Sequence, residues 1–445
     1  KFASRLQLGF FPPNGRAFRL QPGPEFPKEM MGSGLQEELD KITDLLHEGL
    51  RNSNFNAEMH EGLQDLGIGT MNLLCEEGRF QGDLHFSSVP PTNLALLPGR
   101  MDGVSDWFRW NDYMDITEVK HRYPKAKYTE KMASEQKRNP KRKTKIVEAT
   151  VYDEQDKFKD EYTYYLISET DNCILIKERL KGRGSQPWIT TRWSKSGFEV
   201  WGRGPVLQAM PAIKTLNLTV QLILENAEMA IAGSYVYDDD GVFNPDNITI
   251  QPGTFIPRSP GSSIESLQSA GRFDVAQLVI DDMRRNVRKA LFIDELDTRP
   301  NARTPLSATE VSERLADVAR DMGAVAGRMQ KEFLQPLVER LIYIYTKQGL
   351  LDIPKVDGRE LRIVPVSPLL RAQDQQDVSD FVRFQQTVAS TFGPEITPVL
   401  YNQEMVIRFL AQKFGIKEEL LAEQSQVKDN VQMLQQLMQQ GQMPQ

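Results

Sequence analysis

The stretch GRGPVLQAMPAIKTLNLTVQLILENAEMAIAG, residues 202–233, decides the fold because it predicts one long helix with two apolar faces. Pro205 suits a first helical turn and Gly233 a helix end, while Pro211 predicts a kink. At alternating steps of three and four residues, one apolar seam consists of Ile213, Leu216, Val220, Ile223, Ala227 and Ala230. Part of a second seam consists of Leu218, Leu222 and Met229. A helix with two apolar faces needs partners on two sides.

This stretch is about as long as a membrane span, but its polar residues favour burial against protein. Lys214, Glu225 and Glu228 lie within it. A charge at mid-membrane costs about 2.5 to 3.5 kcal/mol even on lenient scales. We therefore expect a helix inside a protein assembly and no membrane span.

Two more helices with the same rhythm are predicted downstream. Residues 272–292 predict a helix whose apolar positions are Phe273, Ala276, Ile280, Met283, Val287 and Ala290. Residues 307–347 predict another, with a seam of Ala308, Val311, Leu315, Val318, Met322, Val325 and Met329. At about 1.5 Å per residue this last helix would extend roughly 60 Å, and Pro336 predicts a bend in it.

These seams are too costly to leave in water. Burial of one Leu, Val or Met side chain is worth about 1.5 to 3 kcal/mol, so one such seam represents on the order of 10 kcal/mol. The neighbours can be other parts of the same chain, or identical helices of adjacent copies arranged in a ring. The residues alone leave both alternatives open.

The rest of the chain predicts an α+β protein that is mainly helical. Amphipathic helices are predicted within residues 35–66, and short strands after Gly67. Residues 145–201 predict an antiparallel meander of four strands: KIVEATVY, EYTYYLIS, CILIKERL and WITTRW. Residues 234–265 predict a small mixed module between the first two seam helices.

Composition narrows the class of protein. The 445 residues are 40% hydrophobic and 26% charged, which is typical of a globular chain. A net charge of −7 argues against an electrostatic grip on nucleic acid by the whole surface. Two cysteines, Cys75 and Cys173, exclude a disulfide framework and a thiolate metal site. Because the sequence begins at Lys1 and not at a methionine, we expect residues of the natural protein to precede it.

The sequence predicts no catalytic constellation, no metal and no cofactor. Two HEGL tetrads, at His47 and His60, lack the second histidine of a zinc helix. None of the 30 glycines precedes a lysine, which excludes a Walker A phosphate loop. The DDDG stretch, residues 238–241, is either a turn or a cation site, and the turn is favoured.

Two charged stretches also leave alternatives open. The basic run at 131–145 lacks interleaved aromatic residues, which favours a solvated loop over a nucleic-acid contact. The stretch DELDTRPNART, residues 294–304, is broken by Pro300 and is either a mobile loop of mixed charge or a plain connector.

Four collinear blocks carry a family resemblance. They are RWSKSGFEVWGRGPVLQAMPAIKTLNLTVQLILENAEMAIAG (192–233), VYDDDGVFNPDNITIQPGTFI (236–256), RTPLSATEVSERLADVARDMGAVAGRMQKEFLQPLVER (303–340) and IVPVSPLLRAQDQQDVSDFVRFQQTV (363–388). In this order they resemble the portal, or head-to-tail connector, proteins of short-tailed bacteriophages, from roughly Gly67 to the C-terminus. One departure is that Gly233 and Ser234 stand where many relatives carry prolines.

The resemblance implies a ring of about twelve subunits around a DNA channel at one capsid vertex. It implies these regions: wing, 1–204; first stem helix, 205–233; clip, 234–270; second stem helix, 271–293; channel loop, 294–306; long wing helix, 307–349; wing strand, 350–370; and crown or barrel helices, 371–445.

The same resemblance implies site residues. Stem residues expected at the interface between subunits are Leu216, Val220, Ile223, Ile280 and Val287. Channel-loop residues expected to touch DNA are Arg299, Asn301 and Arg303. Clip residues expected to face a tail adaptor are Tyr235, Tyr237, Phe243 and Phe255.

Expected partners are duplex DNA without sequence preference, a terminase that supplies the energy for packaging, a tail adaptor, and capsid and scaffolding proteins. The expected location is the capsid vertex of the virion, after assembly in the host cytoplasm. Another ring-forming head-tail adaptor or structural virion protein is the alternative. A DNA-processing enzyme is disfavoured because no catalytic or phosphate-binding site is recognisable.

Overall fold

The structure is a computed structural model that describes residues 1–12, 15–23, 33–99, 103–153, 161–232, 235–238, 255–258, 265–266, 273–293, 322–351, 361–366, 378, 381–388, 390–391, 406–407 and 410. The chain forms two compact units. The first unit comprises Lys1–Gly204 and Glu295–Gln445, and the second unit comprises Pro205–Asp294.

Helices and antiparallel strands both contribute to the described residues, in keeping with the α+β prediction. The described helices are α1 (Phe2–Phe10), α2 (Ser33–Asn52), α3 (Phe55–Ile68), α4 (Ile116–Arg122), α5 (Glu130–Arg138), α6 (Pro205–Ala232), α7 (Phe273–Ala290), α8 (Gly323–Met329) and α9 (Gln335–Lys347). The described strands are β1 (Phe18–Pro22), β2 (Thr70–Glu77), β3 (Leu84–Ser88), β4 (Leu94–Pro98), β5 (Val104–Asp115), β6 (Lys143–Tyr152), β7 (Tyr162–Ser168), β8 (Cys173–Leu180), β9 (Trp188–Arg192), β10 (Tyr235–Asp238), β11 (Phe255–Arg258), β12 (Glu265–Ser266) and β13 (Leu361–Pro365). That helix predominates over the whole chain stays a prediction.

A five-stranded antiparallel sheet, in the order β4-β5-β6-β7-β8, contains three strands of the predicted meander. The predicted fourth strand is wrong in its placement: β9 leaves this sheet and pairs antiparallel with β2. The reason lies in β2, whose residues Thr70 to Cys75 are all buried on both faces. Such a central strand needs a neighbour on each edge, and β3 and β9 supply them.

The basic run at 131–145 is not a loop, contrary to the favoured interpretation. It begins in α5, whose first turn is capped because the Thr129 side chain accepts a hydrogen bond from the Met132 N–H at 3.3 Å. Met132 is fully buried with Val119 and Ile146 in the core under the five-stranded sheet. This one apolar anchor fixes a helix whose other side carries the charges.

Aromatic side chains join the helices of the first unit to its three-stranded sheet. Phe55 of α3 lies edge-on to Phe86 of β3 at 5.0 Å between ring centroids. Phe333 contacts Phe11 in the same way at 5.3 Å. The residues around 333 are thereby held against the N-terminal part of the chain.

The strand predicted within residues 350–370 is present as β13, but its partner is not evident from the sequence. It pairs antiparallel with β1, from Phe18 opposite Pro365 to Pro22 opposite Leu361. Arg19, within β1, donates two hydrogen bonds of 2.7 Å to the Asp40 carboxylate of α2. The returning chain thus closes the first unit.

Within the predicted long helix at 307–349, the described part runs from α8 to α9. Where Pro336 predicts a bend, the structure has a π turn, Gln330–Leu334, directly before α9. The Gln335 N–H bonds to the Gln330 carbonyl, which is the longer spacing of a π turn. Residues 307–321 lie outside the described part.

Two glycines of the GRG motif, Gly202 and Gly204, are required by a close approach of backbones. A Cβ on Gly202 would clash with the Gly69 carbonyl, and one on Gly204 with the Gly67 carbonyl. The Gly204 N–H donates to the Ile68 carbonyl at 2.8 Å. The motif is therefore a packing device that leads the chain out of the first unit.

The second unit consists of two helices and a small sheet. Helix α6 spans 28 residues and has the predicted bounds, with Pro211 inside it. Helix α7 contacts α6. Between them in sequence, β10 pairs parallel with β11 and antiparallel with β12, so the predicted mixed module is present.

Candidate subunit interface

One apolar face of α6 is half-buried within the single chain. Its residues are Ile213, Leu216, Val220, Ile223 and Ala227, the seam predicted from the sequence. The matching seam of α7 contains Ile280, which is only 5% exposed, and the half-buried Ala276, Met283, Val287 and Ala290. Since the two helices touch and the same spacing is buried on each, these seams face one another.

On each helix, the side that points away from the half-buried seam is exposed although it carries apolar residues. On α6, Leu218 is 57% exposed and Leu222 49%. Leu278 of α7 is 72% exposed. Because α-helical residues advance by about 100° each, Leu218 and Leu222 point roughly 160° away from the half-buried seam. Leu218 and Leu222 of the second seam are thus not covered by the described residues.

The interface residues predicted from the sequence belong to the half-buried seam. Leu216, Val220, Ile223 and Val287 retain part of their surface, whereas Ile280 is already covered by its own chain. Their role between subunits stays a prediction. Sequence reasoning grouped Leu218 and Leu222 in the second seam, and the signal for their importance is exposure, which only the structure supplies.

Along α6, a shallow groove of about 430 Å³ borders the exposed face. It is lined by Leu216, Asn217, Val220, Gln221, Leu224, Glu225, Glu228 and Arg284. Apolar residues alternate with acidic residues there, and one guanidinium lies at its edge. Such a mixed lining suits a contact between protein surfaces better than a small-molecule site.

The small sheet brings some of the predicted clip residues together. Tyr235 lies directly opposite Phe255 in the parallel pairing of β10 and β11, and Tyr237 opposite Pro257. Phe243 lies outside the described residues. Because the next described strand after β10 runs parallel to it, these two strands are not joined as a hairpin, and residues 239–241 are themselves outside the described part.

The candidate DNA-contact residues Arg299, Asn301 and Arg303 lie outside the described part of the chain. So do most residues of the predicted crown region, 371–445, of which 381–388 are helical. The roles of both regions stay predictions.

A set of polar contacts around Glu332, in the first unit, was not predicted from the sequence. Arg192 of β9 donates to both carboxylate oxygens of Glu332, from Nη2 at 2.7 Å and from Nε at 3.2 Å. Pro336 has no N–H to donate to the Glu332 carbonyl, and the Thr191 hydroxyl donates to that carbonyl at 3.2 Å instead. A proline inside a helical pattern, four residues after Glu332, is the signal that could have revealed it.

His47 and Cys75 are buried titratable groups of the first unit, and their contacts indicate a structural role. The Ala17 N–H donates to His47 Nε2 at 3.0 Å, and His47 Nδ1 lies 2.8 Å from the Thr43 carbonyl. Burial lowers the pKa of His47 to about 4, so the imidazole is neutral. Burial raises the pKa of the Cys75 thiol to about 12, so it is no nucleophile at neutral pH.

Among the described residues, no three His, Cys, Asp or Glu side chains gather closely enough to hold a metal ion. Within that same part of the chain, no helix combines the length and the hydropathy needed to cross a bilayer.

Comparisons with known proteins place the sequence in a family. A family model described as "Bacteriophage head to tail connecting protein" matches residues 1–421. The chain is 25% identical over 253 residues to a probable portal protein of Bordetella phage BPP-1, covering 54% of this chain and 44% of that protein. It is 24% identical over 274 residues to the portal protein of Salmonella phage epsilon15, covering 59% of this chain and 48% of that protein. The matched part thus spans less than half the length of each relative.

Solved structures give weaker likenesses. A chain from the neck of an empty GTA particle gives a TM-score of 0.40 at 10% identity, covering 92% of this chain and 89% of that one. A chain from the virion of a native gene transfer agent particle gives 0.38 at 11% identity, covering 92% of each chain. Scores of this size carry no argument about the fold.

Proposed function

Because this chain belongs to the bacteriophage head-to-tail connecting protein family, we propose that it is a portal subunit that closes with its copies into a ring of about twelve around a DNA channel. It acts as a structural protein of the phage particle. Its work is to pass the genome during packaging and ejection, and to present a platform for the proteins that dock on the ring.

The observation that carries the proposal is that apolar side chains are exposed on the outer sides of both α6 and α7. Burying a leucine is worth about 1.5 to 3 kcal/mol, so Leu218, Leu222 and Leu278 together represent roughly 5 kcal/mol or more when a neighbour covers them. In a closed ring every subunit has a neighbour on each side. A helix with one face against α7 and another facing outward is what such an arrangement needs.

Passage of DNA requires weak contact. A duplex held by many Lys and Arg side chains would be bound too tightly to slide, since each neutralised phosphate adds to the affinity. The net charge of −7 supports a weakly repelling channel wall. Arg299, Asn301 and Arg303 are the residues we assign to transient phosphate contacts, without base readout.

The remaining partners follow from the same assignment. The sequence lacks a Walker A phosphate loop, so a separate terminase supplies the energy for packaging. The module at 234–270, with Tyr235, Tyr237, Phe243 and Phe255, docks first that motor and later a tail adaptor. Capsid and scaffolding proteins surround the ring at one vertex of the virion, after assembly in the host cytoplasm.

Native mass measurement is the decisive test of the ring. We expect a species of about twelve times the 50.7 kDa mass of one chain. Sedimentation of the same sample checks that the species is compact and closed. A stable monomer at every concentration would refute the proposal.

Deletion of residues 295–303 tests the channel-loop assignment separately from ring assembly. The deletion variant should assemble to the same mass, but particles made with it should retain less DNA. A failure of rings to form would contradict the channel-loop assignment. If a ring forms and DNA retention is unchanged, a head-tail adaptor without a channel loop becomes the better description.

A further inference from the structure

Residues 116–145 form a strongly cationic surface in an acidic protein. They contain eleven Lys and Arg against three Asp and Glu, a net of +8, whereas the whole chain has a net charge of −7. We define the basic surface by six of its exposed cations: Lys125, Lys127, Lys131, Lys137, Arg138 and Lys141. They lie on α5 and in the segments that flank it.

None of these six side chains has a carboxylate partner among the described residues. Nearby cations are different: Arg142 pairs with Glu135 and with Asp171, and Lys145 pairs with Glu169 at 2.8 Å. Glu135, Asp171 and Glu169 are therefore paired with cations that lie outside these six. Like charges held close together repel, and at the α5 C-terminus the negative end of the helix dipole offsets part of this repulsion for Lys137 and Arg138.

The surface offers no apolar anchor for a protein partner. The large apolar residues of the two helices, Ile116, Val119 and Met132, are buried in the core. Protein interfaces derive most of their affinity from buried aromatic and aliphatic anchors. A surface that presents cations on flexible stems and small polar groups fits a polyanion instead.

The geometry also argues against single-stranded nucleic acid. Lys120 lies over the Tyr128 ring at 5.7 Å, and Arg122 over the Tyr123 ring at 5.8 Å. The Tyr123 hydroxyl donates to the buried Glu148 carboxylate, and the Tyr128 hydroxyl to the Tyr123 carbonyl. Because both rings are covered by cations and fixed through their hydroxyls, they are not free to stack on unpaired bases.

We propose that the basic surface binds the phosphate backbone of duplex DNA, without regard to sequence, as a second contact apart from any channel. The inference rests on the basic surface and does not depend on the formation of a ring. It assigns to this protein a DNA contact that the channel function does not require.

The test uses the full chain and a small, covalently closed duplex circle. Such a circle cannot thread through a closed ring, so it reports surface binding alone. In the test variant four cations become neutral: Lys131→Gln, Lys137→Gln, Arg138→Gln and Lys141→Gln. The matched control neutralises four exposed cations elsewhere in the first unit: Arg51→Gln, Arg79→Gln, Lys177→Gln and Lys181→Gln.

We expect the wild type and the control to bind the circle equally, and the test variant to bind at least about tenfold more weakly. The slope of log K against log salt should fall by roughly 3 to 4, because each phosphate contact contributes about 0.9. Equal affinity of test and control variants would overturn the proposal. So would a wild type that binds a polyglutamate peptide but not the circle, since the partner would then be an acidic protein.

A charge-conserving variant guards against a folding effect. Lys131→Arg, Lys137→Arg and Lys141→Arg keep the charges and should keep the affinity, whereas a loss of binding would overturn an electrostatic contact. The native mass of every variant is measured beside its affinity. If all variants form the same ring, a failure of this inference leaves the proposed portal function intact.

Discussion

The first unit has a large apolar core, although single side chains such as Phe80 and Phe198 are exposed, whereas helices α6 and α7 of the second unit leave Leu218, Leu222 and Leu278 in water. Phe18 and Phe86 are fully buried and Phe333 is 1% exposed, while Leu278 is 72% exposed. The residue types and their helical spacing are alike in the two units. What differs is the number of neighbours: sheets and helices surround the first set, but among the described residues of the second unit α6 and α7 have mainly one another. Under the proposed function, the first unit folds within one chain, and neighbouring copies cover the exposed leucines of the second unit.

The strongest way to break this comparison is to place charge on the exposed face of α6. In the double variant Leu218→Asp and Leu222→Asp, a ring would have to bury unpaired carboxylates at every interface, at a cost of several kcal/mol each. We expect complete loss of the ring, measured as a fall of the native mass to that of one chain. The fold of the first unit should be unaffected.

Tryptophan fluorescence provides the control for that variant. The five tryptophans, at 107, 110, 188, 193 and 201, all lie in the first unit, so their unfolding transition reports that unit alone. The transition should match the wild type. A double-aspartate variant that still forms rings would show that this face is not an interface.

A paired truncation sharpens the comparison within single chains. Phe333→Ala removes a ring that contacts Phe11 and Phe55, and should lower the free energy of unfolding of the first unit by about 3 to 5 kcal/mol. Leu278→Ala removes an exposed side chain and should change the stability of an unassembled chain by less than about 0.5 kcal/mol. Urea unfolding followed by tryptophan fluorescence measures the first, and far-ultraviolet circular dichroism at low concentration the second. Similar losses in the two variants would mean that the units do not differ in this way.

Local periodicity was enough to predict the helices of the second unit. The steps of three and four, together with Pro205, fix the bounds of α6, and the polar sequence between the helices predicts a small sheet. These signals are local because a helix satisfies its own backbone within a few residues. The same holds for β6, β7 and β8, which pair with the next strand along the chain.

The contacts that the sequence did not predict join residues that are distant in sequence. Nothing in WITTRW specifies which sheet β9 joins, because its alternation suits either edge. The pairing of β1 with β13 and the contact of Arg192 with Glu332 link residues that only the completed fold brings together. At the candidate interface, the spacing identified both seams, but which seam α7 covers could be learned only from burial.

The smallest predicted effect tests how the first unit holds the helix that contains Pro336. Because Pro336 cannot donate to the Glu332 carbonyl, Thr191→Val should leave that carbonyl without its donor and cost about 1 to 2 kcal/mol. In the background of Pro336→Ala, the new N–H can donate to the same carbonyl, so Thr191→Val should cost little. The double-mutant cycle, measured by urea unfolding with tryptophan fluorescence, should give a coupling of about 1 kcal/mol. Additive effects of the two substitutions would mean that the Thr191 hydroxyl does not compensate for the proline. The stability of the first unit near Pro336 would then rest on the Arg192 and Glu332 pair and on the aromatic core.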